Sequence, residues 1–464
     1  MNNKNALIND PVHGSIPFTY GYGSEVAENT ILDDVWVQRL RQIYQLQSTR
    51  WVFPSAEHTR FQHSVGTMHL ASRFINKLYV NLKVVDPTCP SKPYVEELVR
   101  LAGLLHDVGH GPFGHFCDQN YLENYGFNHE SIGEQIIKQR LGERIKKIRR
   151  SPYGDFEEEL TPEQICFLIK KPPAQEESDR PLWLKLLRKL FSNIITVDNL
   201  DYVLRDSYFS GVGVAKPNID RILFYSNFRE DKFVVHKKAL NDIKLFIESR
   251  LTLYKSLYYH RTVRIIEIQI KEIYNETLQV IMGDVNLKDN MSQFLDRYLG
   301  LTDWGLLCGV QDKSRMEKIH LYDAWQDIVN RRLHWELVWD YDLEKKGTKS
   351  HFEDRDIDIY RKINDRLPKD PDKHLKYIVD MASQDPRPET LGNIIADVNK
   401  KIFIEDYDGQ ISEDPLVDCV DGIPRHIDHL RVFIRKEHAH LKDILMDAIE
   451  SANVGKRQAL TTNV

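Results

Sequence analysis

A chain of 464 residues with 41% hydrophobic and 28% charged side chains is long enough for two or three subdomains and has the composition of a globular protein with a large core. Its formal net charge of −6 offers a polyanion no general attraction, so nucleic-acid coating is disfavoured and phosphate binding has to come from local basic clusters. Five dispersed cysteines (Cys89, Cys117, Cys166, Cys308, Cys419) without a CxxC indicate neither a disulfide framework nor a cysteine zinc site, and no stretch resembles a signal peptide or membrane helix, so the expected compartment is the cytoplasm.

In chain order, residues 1 to 30 are rich in turn formers ("NDPVHGSIPF", "GYGS") and predict extended structure. Apolar residues then recur at helical spacing to about residue 280. The expected fold class is mainly α, a helical core with a smaller C-terminal α+β region. "RFQHSVG" opens an amphipathic helix carrying Val65, Met68, Ala71, Phe74 and Leu78. "YVEELVRLAGLLHDV" has an apolar face broad enough to predict a helix buried on most sides. "KKPPAQEESDRP", residues 170 to 181, predicts an exposed loop, and "KFVVHKKA" a short strand. Beyond residue 290 an aromatic helix ("YDAWQDIVNRRLHWELVW") is followed by Pro/Asp-rich breaks ("RLPKDPDK", "SQDPRPE") and strands ("KKIFIEDY", "HLRVFIRK"). The chain so divides into an N-terminal segment (1–50), a helical core (51–290), a C-terminal α+β region (291–450) and a polar tail (451–464) expected to fray.

His106 and Asp107 end the buried helix, where a charged aspartate is costly without a compensating partner. A metal ion would compensate it; so would a helix end at which Asp107 caps a neighbour and His106 bonds a carbonyl, and the pair alone does not choose. His63, at the start of the amphipathic helix, taken alone fits a structural role. Asp198, Tyr202 and Asp206 in "VDNLDYVLRD" recur every four residues as a stripe on one helix, while Asp201 and Arg205 read as a plain surface salt bridge. Taken together, two histidines and two aspartates form a mixed nitrogen and oxygen set suited to Fe, Mn, Ni or Zn, with positions open for water or phosphate.

The order His63, His106-Asp107, Asp198 resembles the HD-domain metal phosphohydrolases. "NDPVHG", "QRLRQIYQL", "VFPSAEHTRFQHSVG", "LAGLLHDVGHGPFGH", "DNLDYVLRD" and "RLTLYKSLYYHR", in that order over roughly residues 5 to 265, narrow the resemblance to the deoxynucleoside triphosphate (dNTP) triphosphohydrolases, here without a preceding SAM domain. The resemblance implies that His63, His106, Asp107 and Asp198 hold one divalent transition metal per subunit, with Mg2+ able to accompany the nucleotide. It places His110, His115 and His129 around the α-phosphate, and gives Asp118 the task of orienting His115 or raising its pKa for general-acid work. Arg60 and Arg250 would contact phosphate, Tyr202 pack on the sugar, and Asp206 accept from its 3′-hydroxyl. Gln45 and Leu46 would complete the sugar pocket, with Tyr258 facing base or sugar. Gly109, Gly111 and Gly114 would let the backbone turn closely beneath the phosphates. Without the resemblance, His129 could equally be a surface histidine, and the Arg250, Tyr254, Tyr258 stripe could be core with wet hydroxyls. One departure is Asn199, which stands where the family has a lysine and so removes a triphosphate cation; a charge-assisted contact is worth about 1.5 to 3 kcal/mol.

A regulatory site is also implied. "ILDDVWVQRLR" matches a guanine-reading segment through Asp33, Gln38 and Arg41, while Asn9, Arg221 and Lys238 match residues that hold the effector's sugar and phosphates, the Arg221 match needing one inserted residue. A carboxylate accepts from guanine N1–H and the exocyclic amine, and a guanidinium donates to O6 and N7. Singly, each is also an ordinary exposed charge. The implied function is hydrolysis of dNTP to deoxynucleoside and inorganic triphosphate, activated by dGTP or GTP in a homotetramer, with neither a membrane nor nucleic acid as primary partner. The alternatives are an HD phosphohydrolase acting on other nucleotides or phosphoesters, and a nucleotide-sensing assembly protein.

Overall fold

A computed structural model describes residues 5–170, 172–283, 290–312, 319–345, 353–367, 375–384, 403–412 and 426–452. The turn-rich N-terminus forms an antiparallel hairpin, β1 (Asn5–Asp10) and β2 (Gly14–Thr19), with Asp10 paired to Gly14 across the turn. The long helix α1 (Arg60–Val85) starts where Thr59 and Gln62 form a capping box, and its buried residues Val65, Met68, Ala71, Phe74, Ile75, Leu78 and Leu82 keep helical spacing. Against it lies α2 (Lys92–Leu105), opened by Pro93 in its first turn and buried without interruption from Tyr94 onward, as its broad apolar face required.

Short helices follow, α3 (His115–Asn120) and α4 (His129–Ile136), and then α5 (Val197–Ser210), which Thr196 caps at one end and left-handed Gly211 terminates at the other. "KFVVHKKA" supplies β4 (Lys232–His236), antiparallel to β3 (Ser226–Arg229). Helices α6 (Leu240–Leu253) and α7 (Arg261–Lys271) carry the chain to α8 (Asp303–Gln311) and α9 (Ile319–Val329). One hydrophobic cluster runs from Ile16 to Ile328 and takes in Trp36, Leu40, Phe294, Leu306 and Trp325. It therefore crosses the boundaries near residues 50 and 290 that composition suggests.

The C-terminal sheet has β8 (His426–Arg435) between β5 (Trp335–Lys345) and β6 (Tyr377–Gln384), all antiparallel, with a bulge between Val432 and Phe433. β7 (Phe403–Glu405) joins β4 in parallel. Helix α10 (Lys442–Ser451) packs Leu445 and Ile449 on Val338, Val432 and Ile434 in a second core.

Two expectations change. The "KKPPAQEESDRP" stretch contains a helix, Ala174–Asp179, because its Ala-Gln-Glu-Glu run outweighs the flanking prolines. The aromatic segment 322–339 is not one helix: it breaks after Val329, Arg331 takes a left-handed turn, and Trp335 onward pairs with β8, about ninety residues away and invisible to helical periodicity. "SQDPRPE" beyond Gln384, most of "RLPKDPDK" and the tail from residue 453 lie outside the described residues.

Candidate functional site

His63 projects from the first turn of α1, His106 caps the end of α2 with Asp107 next in the chain, and Asp198 sits in the first turn of α5. His106 donates from Nδ1 to the Gly103 carbonyl at 2.8 Å, and His63 from Nδ1 to Asp201 Oδ2 at 2.7 Å. With Nδ1 so engaged, each ring in its neutral form keeps its lone pair on Nε2, and the two Nε2 atoms face each other at 3.2 Å. Asp198 Oδ1 lies 3.0 Å from His63 Nε2 and 3.8 Å from His106 Nε2. Asp107 Oδ1 lies 3.4 Å from His106 Nε2. Ligands held at about 2.0 to 2.2 Å from a common ion stand about 3 Å apart, and converging lone pairs and carboxylates repel without a cation, so these residues fit a divalent metal. Burial lowers the pKa of His63, but Asp198 and Asp201 outweigh it and push it up to about 10, because the two carboxylates favour a positive charge at this spot. Asp198, the most open of the four at 40% exposure, leaves a side for water or phosphate.

Around the corner of the "HGPFGH" loop, His110, His115, Asp118 and His129 bring ligand-type atoms within 4.8 Å of one another, as His63, His106 and Asp198 do. Asp118 accepts from His129 twice, from its backbone N–H at 3.0 Å and Nδ1 at 2.6 Å, whereas His115 Nδ1 stands 3.3 Å away. The carboxylate thus reaches His115, as the sequence reading has it, and holds His129 at shorter range. His110 is fully buried, stacked on His129 at 3.8 Å, and burial and the Arg60 charge hold its pKa well below the ordinary value, so it is neutral. His115 is 59% exposed and lines a cavity. Of the two surplus histidines in the loop, only His115 therefore faces open space. The loop glycines also differ from expectation, because Gly109 abuts the His129 carbonyl and Gly114, at φ +52°, abuts Arg60. They let protein pack on protein.

The cavity, of about 860 Å3, gathers Gln45, Leu46, Arg60, His115, Tyr202, Asp206 and Tyr258 on its walls. Arg60 bridges it to the metal set by donating to Asp107 Oδ2 at 2.6 Å. Asp206 accepts from Tyr258 Oη at 2.6 Å and from His58 Nε2 at 2.8 Å. Arg250 stands behind the tyrosines, its guanidinium 5.8 Å from the Tyr254 ring centre, and does not line the cavity. Asn199 points inward, where it completes the α5 cap and donates to the Ile194 carbonyl at 2.8 Å. His58 escaped the sequence reading although it stands two residues before Arg60. The far wall, Arg264 with Asp380 of β6, carried no local signal.

This set sits inside a segment with known relatives: the HD domain family matches residues 60–175. Seven residues of the two clusters fall within the HD domain, and Asp198 follows it. An uncharacterized protein of Methanocaldococcus jannaschii is 32% identical over 289 residues, 61% of this chain and 52% of that one. The deoxynucleoside triphosphate triphosphohydrolase SAMHD1 homolog of Dictyostelium discoideum is 27% identical over 334 residues, 71% and 59% of the two chains. SAMHD1 of Gallus gallus, also named a deoxynucleoside triphosphate triphosphohydrolase, is 28% identical over 353 residues, 71% and 55%. The chain thus spans a little over half the length of these relatives. Two solved structures share its fold: a hypothetical protein from Aquifex aeolicus (TM-score 0.69, 22% identity, 95% of this chain and 100% of that one) and a phosphohydrolase from Bacteroides thetaiotaomicron (0.65, 19%, 93% and 100%).

The residues read as an effector site lie at three places. Asp33 and Arg41 are exposed; Gln38 donates to the Leu32 carbonyl at 2.6 Å and accepts from Arg41 at 2.8 Å, with Arg41 stacked 3.7 Å over Phe61. Arg221 and Lys238 are exposed together, the first donating to the carbonyl of the second at 2.8 Å. Asn9 is exposed on β1 and accepts from Ser15. No hydrogen bond or ion pair joins these places among the described residues. No helix among them is long and apolar enough to cross a membrane.

Proposed function

We propose that the protein is a metal-dependent dNTP triphosphohydrolase, converting dNTP and water to deoxynucleoside and inorganic triphosphate. The observation that carries this reading is the continuity, through Arg60, from the His63, His106, Asp107 and Asp198 set into a cavity walled by Tyr202, Asp206 and Tyr258. The names of the Dictyostelium and chicken relatives support it. When bound, a divalent ion (Fe, Mn, Ni or Zn) supplies Lewis-acid polarisation of phosphoryl oxygen and a lowered pKa for water.

The chain's own residues do the rest. Arg60, a buried cation at the cavity edge, pairs with a phosphate oxygen. Asp206 accepts from the sugar 3′-hydroxyl, and Tyr202 packs on C2′, where a ribose hydroxyl has no room. His115, open to the cavity, delivers a proton to the departing 5′-oxygen, while Asp118 holds His129 beside it. Activation by dGTP or GTP in a homotetramer, with Asp33, Gln38 and Arg41 of one subunit facing Asn9, Arg221 and Lys238 of others, accounts for effector residues that make no hydrogen bond or ion pair with one another across these places within one chain.

The test is product analysis with each dNTP alone and in pairs. Free triphosphate is expected, and His106→Ala or Asp198→Ala should abolish it. Deoxynucleoside monophosphate with pyrophosphate would overturn the bond assignment. A second reading, hydrolysis of other nucleotides or phosphoesters, is favoured by Asn199, whose amide is committed to the α5 cap where a triphosphate cation would be expected. Preferential turnover of deoxynucleoside monophosphate over dNTP would select it.

A further inference from the structure

Asp201 and Arg205, read from spacing as a surface pair, are both fully buried. One carboxylate serves four donors. Oδ2 accepts from His63 Nδ1 at 2.7 Å and Arg205 Nε at 2.8 Å; Oδ1 accepts from His13 Nε2 at 2.6 Å and Arg205 Nη2 at 2.9 Å. Arg205 continues outward, donating from Nη1 to Asp10 Oδ2 at 2.7 Å, while Asp10 Oδ1 accepts the backbone N–H groups of Val12 and His13 at 2.9 Å each. The "NDPVHG" turn is therefore wired through α5 to the first histidine of α1. Room for the fork exists because residue 66, one turn along α1 from His63, is glycine: a Cβ there would run into Asp201 and Arg205.

An imidazole that binds a metal through Nε2 needs its proton on Nδ1 and its ring aimed, and a carboxylate on Nδ1 does both while making the ligand more basic. Asp201 can do this only while it is itself held. Without the His13 donor, Oδ1 keeps Arg205 alone, and the carboxylate is free to turn fully onto the guanidinium and away from His63.

We propose that His13, in the N-terminal hairpin, is a positioning residue of the metal centre: its hydrogen bond locks Asp201, which aims His63 at the ion. This rests on the metal reading above. Because Asn9 neighbours Asp10 on the same hairpin, the route also joins one of the proposed effector contacts to the centre.

The test uses the full chain, stripped of metal and titrated with Co2+, read by its visible absorption and by competition with a chelator. His13→Phe keeps a ring and loses the donor; its Co2+ affinity should fall at least about tenfold, the usual effect of removing such a support. His13→Gln, which retains an N–H donor, should stay within about threefold, and Ile16→Val, which loosens hairpin packing outside the network, should match the unmodified chain. If His13→Phe does not fold, His13→Asn, whose amide stops short of Asp201, replaces it. Unchanged affinity in the donor-free variant, or equal loss in Ile16→Val, overturns the role of His13 alone. Failure of the unmodified chain to bind Co2+ overturns the metal reading and this inference with it.

Discussion

Gly66→Ala is a one-carbon change whose cost follows from the buried fork. The added Cβ would run into Asp201 Oδ1 first of all, and would lie 2.5 Å from Arg205 Nη2 and 2.7 Å from Asp201 Cγ, whereas ordinary contact begins at 3.4 Å. Arg205 therefore has to retreat by about 0.9 Å, which takes bonds of 2.7 to 2.9 Å to or beyond the hydrogen-bond limit. Losing two charge-assisted bonds costs about 3 to 6 kcal/mol, and the better helix propensity of alanine returns about 1 kcal/mol. The net loss is about 2 to 5 kcal/mol, with weaker metal binding. Gly133→Ala in α4 is the matched control: its Cβ meets nothing closer than 3.5 Å, so only the propensity gain remains. Thermal and urea unfolding of both variants beside the unmodified protein decide the matter. A Gly66→Ala protein as stable as Gly133→Ala would refute the reasoning.

The pH dependence has a sign. Burial lowers the pKa of His129, yet the Asp118 hydrogen bond and charge raise it further, so the folded value lies above the ordinary one of about 6.5. The stabilisation from this pair is complete below about pH 6.5 and is lost as pH rises through the raised value. Asp118→Asn should move the basic limb of the dNTP turnover profile to lower pH, and an unmoved limb would show that His129 protonation does not matter. Tyr258→Phe removes the 2.6 Å bond to Asp206 and should raise KM for dNTP several-fold with a smaller effect on kcat, measured by steady-state kinetics. Arg100→Met strands Glu28, which now accepts from Arg100 at 2.6 and 3.1 Å in full burial; a loss of about 3 to 5 kcal/mol is expected in urea unfolding, and a loss below 1 kcal/mol would refute it.

Local signals carried much of the fold. The Thr59 and Gln62 box, the uninterrupted burial of α2, and the Thr196 and Gly211 ends of α5 each depend on residues within a few positions of one another. The candidate metal residues drew notice for a related reason: His106 and Asp107 stand side by side at a buried helix end, where charge demands a partner, although the pair alone did not say which partner. Legibility failed where the partner was distant. Residues 335–339 read as the end of a helix until β8 is there to pair with them.

By itself the amino-acid sequence named the candidate side chains, two histidines and two aspartates of ligand type and a polar stripe on α5, and the helices that hold them. Only the tertiary structure decided how these are supported. His13 and Asp201 are 188 positions apart, and His63 and Asp201 are 138 apart, so spacing along one helix assigns Asp201 to Arg205 and to solvent. Folding places that helix against α1, and exclusion of water turns an ordinary i,i+4 pair into the support of His63. The same packing buried His110, gave Asp118 to His129, and left His115 as the imidazole open to the cavity, because which face of a loop meets water is a property of what covers it.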